Sequence, residues 1–191
     1  MPGDSLKLIV GLGNPGDQYR ATRHNIGEET IRRWASRTGV TLSKQKSWGF
    51  AGRVPESNTT IAVTTGYMNT SGGPVSALAK YLKVPVERIV VIHDELDLPL
   101  GSLKLKKGGG HGGHNGLRDI AKALGTPEFI RVRLGIGRPP GQMDAAAYVL
   151  KPFGASEKSE VELMQELAID AVTSITTEGL LEAQQKFHSP S

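Results

Sequence analysis

Three loop segments carry the side chains of this chain that are best suited to chemistry, and two of these segments are rich in glycine. His24 precedes an apolar helical pattern, Asp94 follows an apolar β-branched run, and His114 lies within a run of glycines. A neutral imidazole can accept a proton from water near neutral pH. A carboxylate on its other ring nitrogen would hold the tautomer and stabilise the cation that forms. These residue types indicate a hydrolytic site, although on sequence alone a capping role for His24 and a turn role for Asp94 remain open.

Asparagine recurs in the same kind of loop. Asn14 lies within Gly11–Gly16, Asn69 within Gly66–Gly72, and Asn115 at the end of the glycine run. A neutral amide offers donors and an acceptor without adding charge, so it can polarise a carbonyl, hold a water or recognise a peptide N–H group. The sequence leaves open which amide does which task.

Two other functions are compatible with parts of this pattern. The glycines of Gly11–Gly16 match a dinucleotide-binding fingerprint, but residues 17–24 lack the apolar stripe of the helix that should follow. A metal hydrolase could use histidines and a carboxylate, although no spacing typical of metal ligands is present. The candidate ligands for that alternative are His24, His93, Asp94, His111 and His114.

The elements that must position these loops alternate between strands and helices. Strand patterns cover residues 6–11, 48–54, 60–64, 89–93, 102–106 and 129–135. Helical patterns cover residues 25–38, 74–82 and 117–124, and a C-terminal helical segment spans residues 156–187 with a break at Gly179. Such mixing predicts an α/β fold, with one mixed, twisted β-sheet flanked by helices on both sides.

Composition narrows the class of protein. A chain of 191 residues suits one domain, which we expect to span residues 1–191. Cysteine is absent, so disulfides, thiolate metal sites and a cysteine nucleophile are excluded. Neither a signal-peptide pattern nor an apolar run of membrane-spanning length is visible, and we expect a cytoplasmic protein without a membrane partner.

Positive charge is concentrated in one segment. Residues 101–138 contain eight Lys or Arg and two acidic residues, a net charge of +6, although the whole chain carries only +4. Such a segment is either a solvated basic face or a binding surface for a phosphate backbone. A non-catalytic nucleic-acid-binding module would explain this segment but not the amide-rich loops.

Five motifs together resemble the bacterial peptidyl-tRNA hydrolases. They occur in that family's order over about residues 8–139, and they are GLGNPG with TRHNIG, YMNTSG, HDELDLPLG, KGGGHGGHNGLRDI and RVRLGIGRP. The resemblance implies a metal-independent ester hydrolase with no cofactor, which acts on peptidyl-tRNA and is a monomer. One departure is local, because Val63-Thr64 stands where the family often has Lys-Pro, so the conformation of residues 63–66 is not predicted.

The resemblance also assigns roles to residues. It implies His24 as the catalytic base, Asp94 as its partner and Asn14 as the amide that distinguishes peptidyl-tRNA from aminoacyl-tRNA. It implies that the tRNA end and the peptide contact Tyr19, Tyr67, Met68, Asn69, His114 and Asn115. Lys106 and Arg133 would bind a phosphate near the tRNA acceptor end.

Overall fold

The β-branched and apolar segments form one seven-stranded sheet. The structure, a computed structural model, describes residues 6–188, so both ends of the predicted domain span 1–191 lie outside the described residues. The strands are β1 (Lys7–Gly11), β2 (Ser43–Gln45), β3 (Gly49–Arg53), β4 (Thr59–Thr64), β5 (Ile89–Glu95), β6 (Leu103–Lys107) and β7 (Ile130–Gly135). Their order across the sheet is β2-β3-β4-β1-β5-β7-β6.

Four parallel strands occupy the centre of the sheet. β1 pairs in parallel with β4 and β5, and β5 pairs in parallel with β7. The outer strands β2, β3 and β6 add antiparallel edges. The central strands are buried on both faces, which explains why β5 reads as a continuous apolar run before His93. Because the four strands are parallel, their C-terminal ends lie at one edge, where open α/β sheets bind ligands.

Helices cover both faces, as the sequence pattern predicts. They are α1 (Ile26–Thr38), α2 (Gly72–Leu82), α3 (Asn115–Leu124), α4 (Ala145–Val149), α5 (Lys158–Glu178) and α6 (Leu180–Phe187). Alternate strand residues such as Ile9 and Ile92 pack with the core residues of α1 and α5, whereas their neighbours Val10 and Val91 pack with α2 and α3. Burial of each such side chain contributes on the order of 1.5–3 kcal/mol.

Most predicted elements are confirmed within a few residues, and the exceptions are short. The sequence pattern missed β2 and α4, and it began α2 at Pro74 instead of Gly72. Asp17–Tyr19 and Arg23–Asn25 form two short 3₁₀ helices, so no α-helix opens at Gly16 and the dinucleotide-binding alternative is wrong. The segment after Val63 continues β4 to Thr64, and the Thr65 N–H group donates to the carbonyl of Trp48. None of the helices within residues 6–188 has the length and apolar character to cross a membrane.

Two glycines let α1 pack directly against the sheet. A Cβ atom on Gly27 would lie 2.1 Å from the Ile92 carbonyl oxygen, and one on Gly11 would lie 2.1 Å from the Gly27 carbonyl oxygen. The N–H group of Leu12 donates to Ile92 O, and that of Glu28 donates to Leu12 O. These backbone contacts fix the start of α1, and with it His24, against the ends of β1 and β5.

We therefore predict that Gly27→Ala destabilises the fold by at least about 1–3 kcal/mol, because the added methyl group meets backbone that cannot rotate away. Gly73→Ala is the matched control, since a Cβ atom there has no neighbour within 4 Å. It should be neutral or stabilise by up to about 1 kcal/mol. Denaturant midpoints of the two variants measure the difference, and equal midpoints would contradict the close approach.

Candidate active site

A cavity of about 580 Å³ opens at the C-terminal ends of the central strands. Its polar lining residues include His24, Asp94, Asn14, Asn69, His114 and Asn115. Its apolar lining residues are Met68, Leu96, Ala145, Ala146, Val149 and Leu150. The structure thus brings together polar residues from loops that are up to 101 positions apart in the chain, from Asn14 to Asn115. Tyr67 also lines the cavity.

The imidazole of His24 is oriented by Asp94. His24 Nδ1 lies 2.8 Å from Asp94 Oδ2. Burial is the largest single influence on the pKa of Asp94 and raises it, but the neighbouring imidazoles of His24 and His114 together hold this pKa well below its usual range. Because the ionised carboxylate can only accept, Nδ1 of His24 must donate, and the lone pair of the neutral ring lies on Nε2. This is the tautomer that a general base requires.

Asp94 accepts from a second imidazole as well. His114 Nε2 lies 2.8 Å from Asp94 Oδ1, so each carboxylate oxygen has one imidazole partner. The Leu117 N–H group donates to His114 Nδ1 over 3.3 Å at the start of α3, which agrees with a proton on Nε2. His114 therefore joins the beginning of α3 to the carboxylate that orients His24.

His93 points to the other face of β5 and packs behind this cluster. Its ring centroid is 5.1 Å from that of His114, and its Nδ1 donates to the Asp94 carbonyl oxygen over 2.8 Å. Burial, helped by His114, lowers the pKa of His93 to about 3, so the ring is neutral at neutral pH. Its Nε2 atom is buried without a hydrogen-bond partner, so His93 is a packing residue behind the site.

Three of the candidate metal ligands lie close together, and hydrogen bonds connect them. Donor atoms of His24, Asp94 and His114 lie within 4.8 Å of one another. Both imidazole nitrogens that face Asp94 are engaged with it, and an ion would have to replace both hydrogen bonds. His111 is apart from them, since its exposed Nδ1 accepts from the Gly113 N–H group. The contacts therefore fit a carboxylate that supports imidazoles better than a metal centre.

Asn14 presents its amide donors to the cavity. Its backbone N–H group donates to Asn25 Oδ1, and Asn25 Nδ2 donates to the Asn14 carbonyl, both over 2.9 Å. Asn14 Oδ1 accepts from the Met68 N–H group over 2.7 Å. Because the side-chain oxygen is engaged there, Nδ2 remains for a ligand. Asn25, which sequence reasoning missed, is the buried amide that holds this arrangement.

The other predicted contact residues surround the same opening. Asn69 and Asn115 are exposed, and within residues 6–188 neither side chain has a protein hydrogen-bond partner. Tyr19 does not line the cavity itself but packs edge-on against Tyr67, with ring centroids 6.4 Å apart. Both amides are thus free to bind substrate, and the tyrosine pair borders them.

The two predicted phosphate-binding residues lie outside the cavity on the edge pair β6–β7. Lys106 is exposed, whereas Arg133 makes an ion pair of 3.0 Å with Glu95, which lines the cavity. Arg131 is opposite Lys106 in the ladder but is buried, and its guanidinium donates to the carbonyl groups of Gly109, Gly110 and Pro127. Arg131 therefore holds the glycine loop and is not part of a free basic face.

The apolar wall that α4 and Leu150 add to the cavity was not found from sequence. This helix has five residues without a clear apolar period. The run Ala145-Ala146-Ala147 was the available signal, because alanine has the highest helix propensity.

Comparison with known proteins identifies the family of this chain. The family model described as peptidyl-tRNA hydrolase matches residues 8–191. A peptidyl-tRNA hydrolase of Kineococcus radiotolerans is 49% identical, with 96% of this chain and 98% of that protein covered. One of Nocardia farcinica is 47% identical, with 98% of each covered.

A solved structure extends the agreement to the fold. The crystal structure of peptidyl-tRNA hydrolase from Acinetobacter baumannii superposes with a TM-score of 0.90 at 36% sequence identity. The superposition covers 97% of this chain and 96% of the chain from Acinetobacter. Sequence and fold therefore agree over almost the whole chain, and this chain belongs to the peptidyl-tRNA hydrolase family.

Proposed function

We propose that this protein hydrolyses the ester that joins a peptide to the 3′ end of tRNA, which releases free tRNA and peptide and recycles tRNA from aborted translation. The observation that carries the proposal is the 2.8 Å contact of His24 with Asp94 beside a cavity lined by unpaired amides, in a chain of this family. Substrates of this class are peptidyl-tRNA and N-blocked aminoacyl-tRNA.

His24 acts as the general base in this proposal. Its Nε2 lone pair takes a proton from a water molecule, which attacks the ester carbonyl, and the same nitrogen returns a proton to the departing ribose oxygen. Asp94 stabilises the imidazolium between these steps. Within residues 6–188 no hydroxyl group hydrogen-bonds to His24, so direct attack by water needs fewer steps than a covalent intermediate. Base catalysis of this kind contributes roughly 10²–10⁴-fold.

The amides bind the groups around the ester. Asn14 Nδ2 is a donor, and a donor can bind a carbonyl oxygen of the peptide but not an ammonium group. Aminoacyl-tRNA has a free ammonium group where peptidyl-tRNA has a peptide bond, so we assign the discrimination between them to Asn14. Asn69, Asn115 and Met68 with the tyrosine pair would position the tRNA end and the peptide.

The basic edge of the sheet would bind the tRNA backbone. Within residues 6–188 the ammonium group of Lys106 has no ion-pair partner. Arg133 would have to use the guanidinium donors that its ion pair with Glu95 leaves available. We further propose that the whole span 1–191 acts as one cytoplasmic domain, as a monomer and without a membrane partner.

His24→Ala should lower kcat at least about 100-fold while deacylated tRNA binds as before, because only the base is lost. The assay is release of free tRNA from N-blocked aminoacyl-tRNA, with unblocked aminoacyl-tRNA as the poor substrate. His111→Ala is the matched control, since His111 is exposed and does not line the cavity. A wild-type protein that binds tRNA without turnover would be a binding module, and a His24→Ala variant with normal kcat would need another base.

Asp94→Asn should lower kcat less than His24→Ala does and should move the acidic limb of the pH–rate profile to lower pH. The sign follows from charge: without the carboxylate the imidazolium loses its counter-charge, so the base form persists to lower pH. Asp97→Asn is the control, because Asp97 is partly exposed and pairs with Arg138. An unshifted acidic limb would remove Asp94 from the proton transfer.

Asn14→Asp should reduce the preference for blocked over unblocked substrate, measured as the ratio of the two kcat/KM values. A carboxylate cannot donate and attracts the ammonium group. Asn14→Ala loses the donor without gaining charge, so its rate should fall while the ratio changes less. If both variants slow the two substrates equally, Asn14 serves the chemical step and not the discrimination.

A further inference from the structure

Arg23, the residue next to His24, is a buried cation that the proposed reaction does not use. It is 9% exposed. Its Nη1 donates to the carbonyl oxygens of Lys151 and Pro152 at 3.2 and 3.1 Å, and its Nη2 lies 3.3 Å from Glu157 Oε1. Its backbone N–H group donates to the Lys151 carbonyl as well. One side chain therefore joins the segment of the catalytic base to a segment almost 130 positions later.

The same guanidinium lies on an aromatic ring of α4. Its central carbon is 4.1 Å from the centroid of the Tyr148 ring, a distance typical of a cation–π contact. The Tyr148 hydroxyl donates to the Ile136 carbonyl oxygen over 2.9 Å, just beyond the end of β7. Tyr148 is buried between these two anchors, so α4 is attached to the sheet on one side and to Arg23 on the other.

Other residues of α4 form an apolar wall of the cavity. Ala145, Ala146 and Val149 line it, and the next residue, Leu150, is 45% exposed. These side chains line the same cavity as His24 and the amides. An exposed apolar surface in this position can bury an apolar side chain of a ligand. The contacts of Arg23 therefore join the segment that carries this wall to the segment that carries the catalytic base.

Arginine is the residue type that such a role requires. Its planar fork can donate to two carbonyl groups and a carboxylate while its face lies on a ring, whereas lysine provides a point charge. Burial of a guanidinium is costly, and here its Nε atom has no hydrogen-bond partner. An apolar side chain could fill this space, but it could not hold α4 and the residues after it in one orientation.

We propose that Arg23 is a positioning residue that fixes the apolar wall of α4 relative to His24, and that this wall binds the side chain of the amino acid esterified to tRNA. The proposal rests on the proposed function. Substrates with a large apolar side chain reach the wall, and substrates with glycine at that position do not. Arg23 thus governs selectivity for the esterified residue, and it does so without contact with the reacting atoms.

The test compares N-acetylphenylalanyl and N-acetylglycyl esters on the same tRNA. Arg23→Lys should raise KM for the phenylalanyl ester and lower its kcat/KM relative to the glycyl ester about tenfold, the loss expected when one apolar side chain is no longer well buried. The pH–rate profile should be unchanged, because His24 and Asp94 keep their contact. Glu157→Gln leaves the guanidinium in place. It should also lower kcat/KM for the phenylalanyl ester relative to the glycyl ester, but by a smaller factor.

Arg33→Gln is the matched control for loss of stability. Arg33 lies on α1 and pairs with Glu166 of α5 at 3.2 Å, away from α4. It should leave the ratio of the two substrates unchanged. Hydrogen exchange of residues 145–150 gives a reading that does not depend on activity, and exchange there should rise in Arg23→Lys but not in Arg33→Gln.

The outcomes are distinguishable. If the wild-type protein cleaves neither ester, the proposed function fails, and the exchange measurement still tests the contact between Arg23 and α4. If the wild-type protein cleaves both and Arg23→Lys slows them equally, Arg23 is a residue of the fold alone. Unchanged exchange in residues 145–150 would also overturn the proposal.

Discussion

A buried carboxylate needs partners, and Asp94 meets this requirement with two imidazole N–H groups. Each oxygen has one partner at 2.8 Å, so the carboxylate fixes the ring orientation of His24 and of His114 together. Removal of either partner would leave part of a buried charge unpaired, which costs several kcal/mol in other proteins. The cluster therefore joins the end of β5, the start of α1 and the start of α3. Because the ionised carboxylate only accepts, it also determines which nitrogen of His24 remains free to take a proton.

Packing beneath the cluster explains how the three elements come this close. The backbone of α1 approaches β1 and β5 at Gly11 and Gly27, where a methyl group would lie 2.1 Å from a carbonyl oxygen. On the other side of the sheet, Arg131 holds the glycine loop that leads to His114 through the carbonyl groups of Gly109 and Gly110. The loops are thus rich in glycine for different reasons. At Gly11 the absence of a side chain allows close contact between α1 and β1. In the loop before His114, the carbonyl groups of Gly109 and Gly110 turn toward the buried guanidinium of Arg131.

The central sheet and the polar half of the site were predictable because their signals are local. The apolar run of β5 ends in Asp94, and parallel strands bring such ends to one edge, so the contact with His24 followed from pattern and family resemblance. The wall of α4 was not predictable, because five residues show no clear period and their place depends on Arg23, more than a hundred positions earlier. The ion pair of Arg133 with Glu95 was missed for a similar reason. An alternating strand shows which face a side chain occupies but not which partner it meets there.

The contact with Asp94 holds His24 in the tautomer of a base. Nitrogen-15 NMR of histidine-labelled protein measures this tautomer directly, with the His24 signals assigned through their loss in His24→Gln. The neutral ring should carry a proton on Nδ1 and none on Nε2, and this pattern should weaken in Asp94→Asn. A neutral ring with its proton on Nε2 would leave no lone pair toward the cavity, and it would contradict the assignment of His24 as the base.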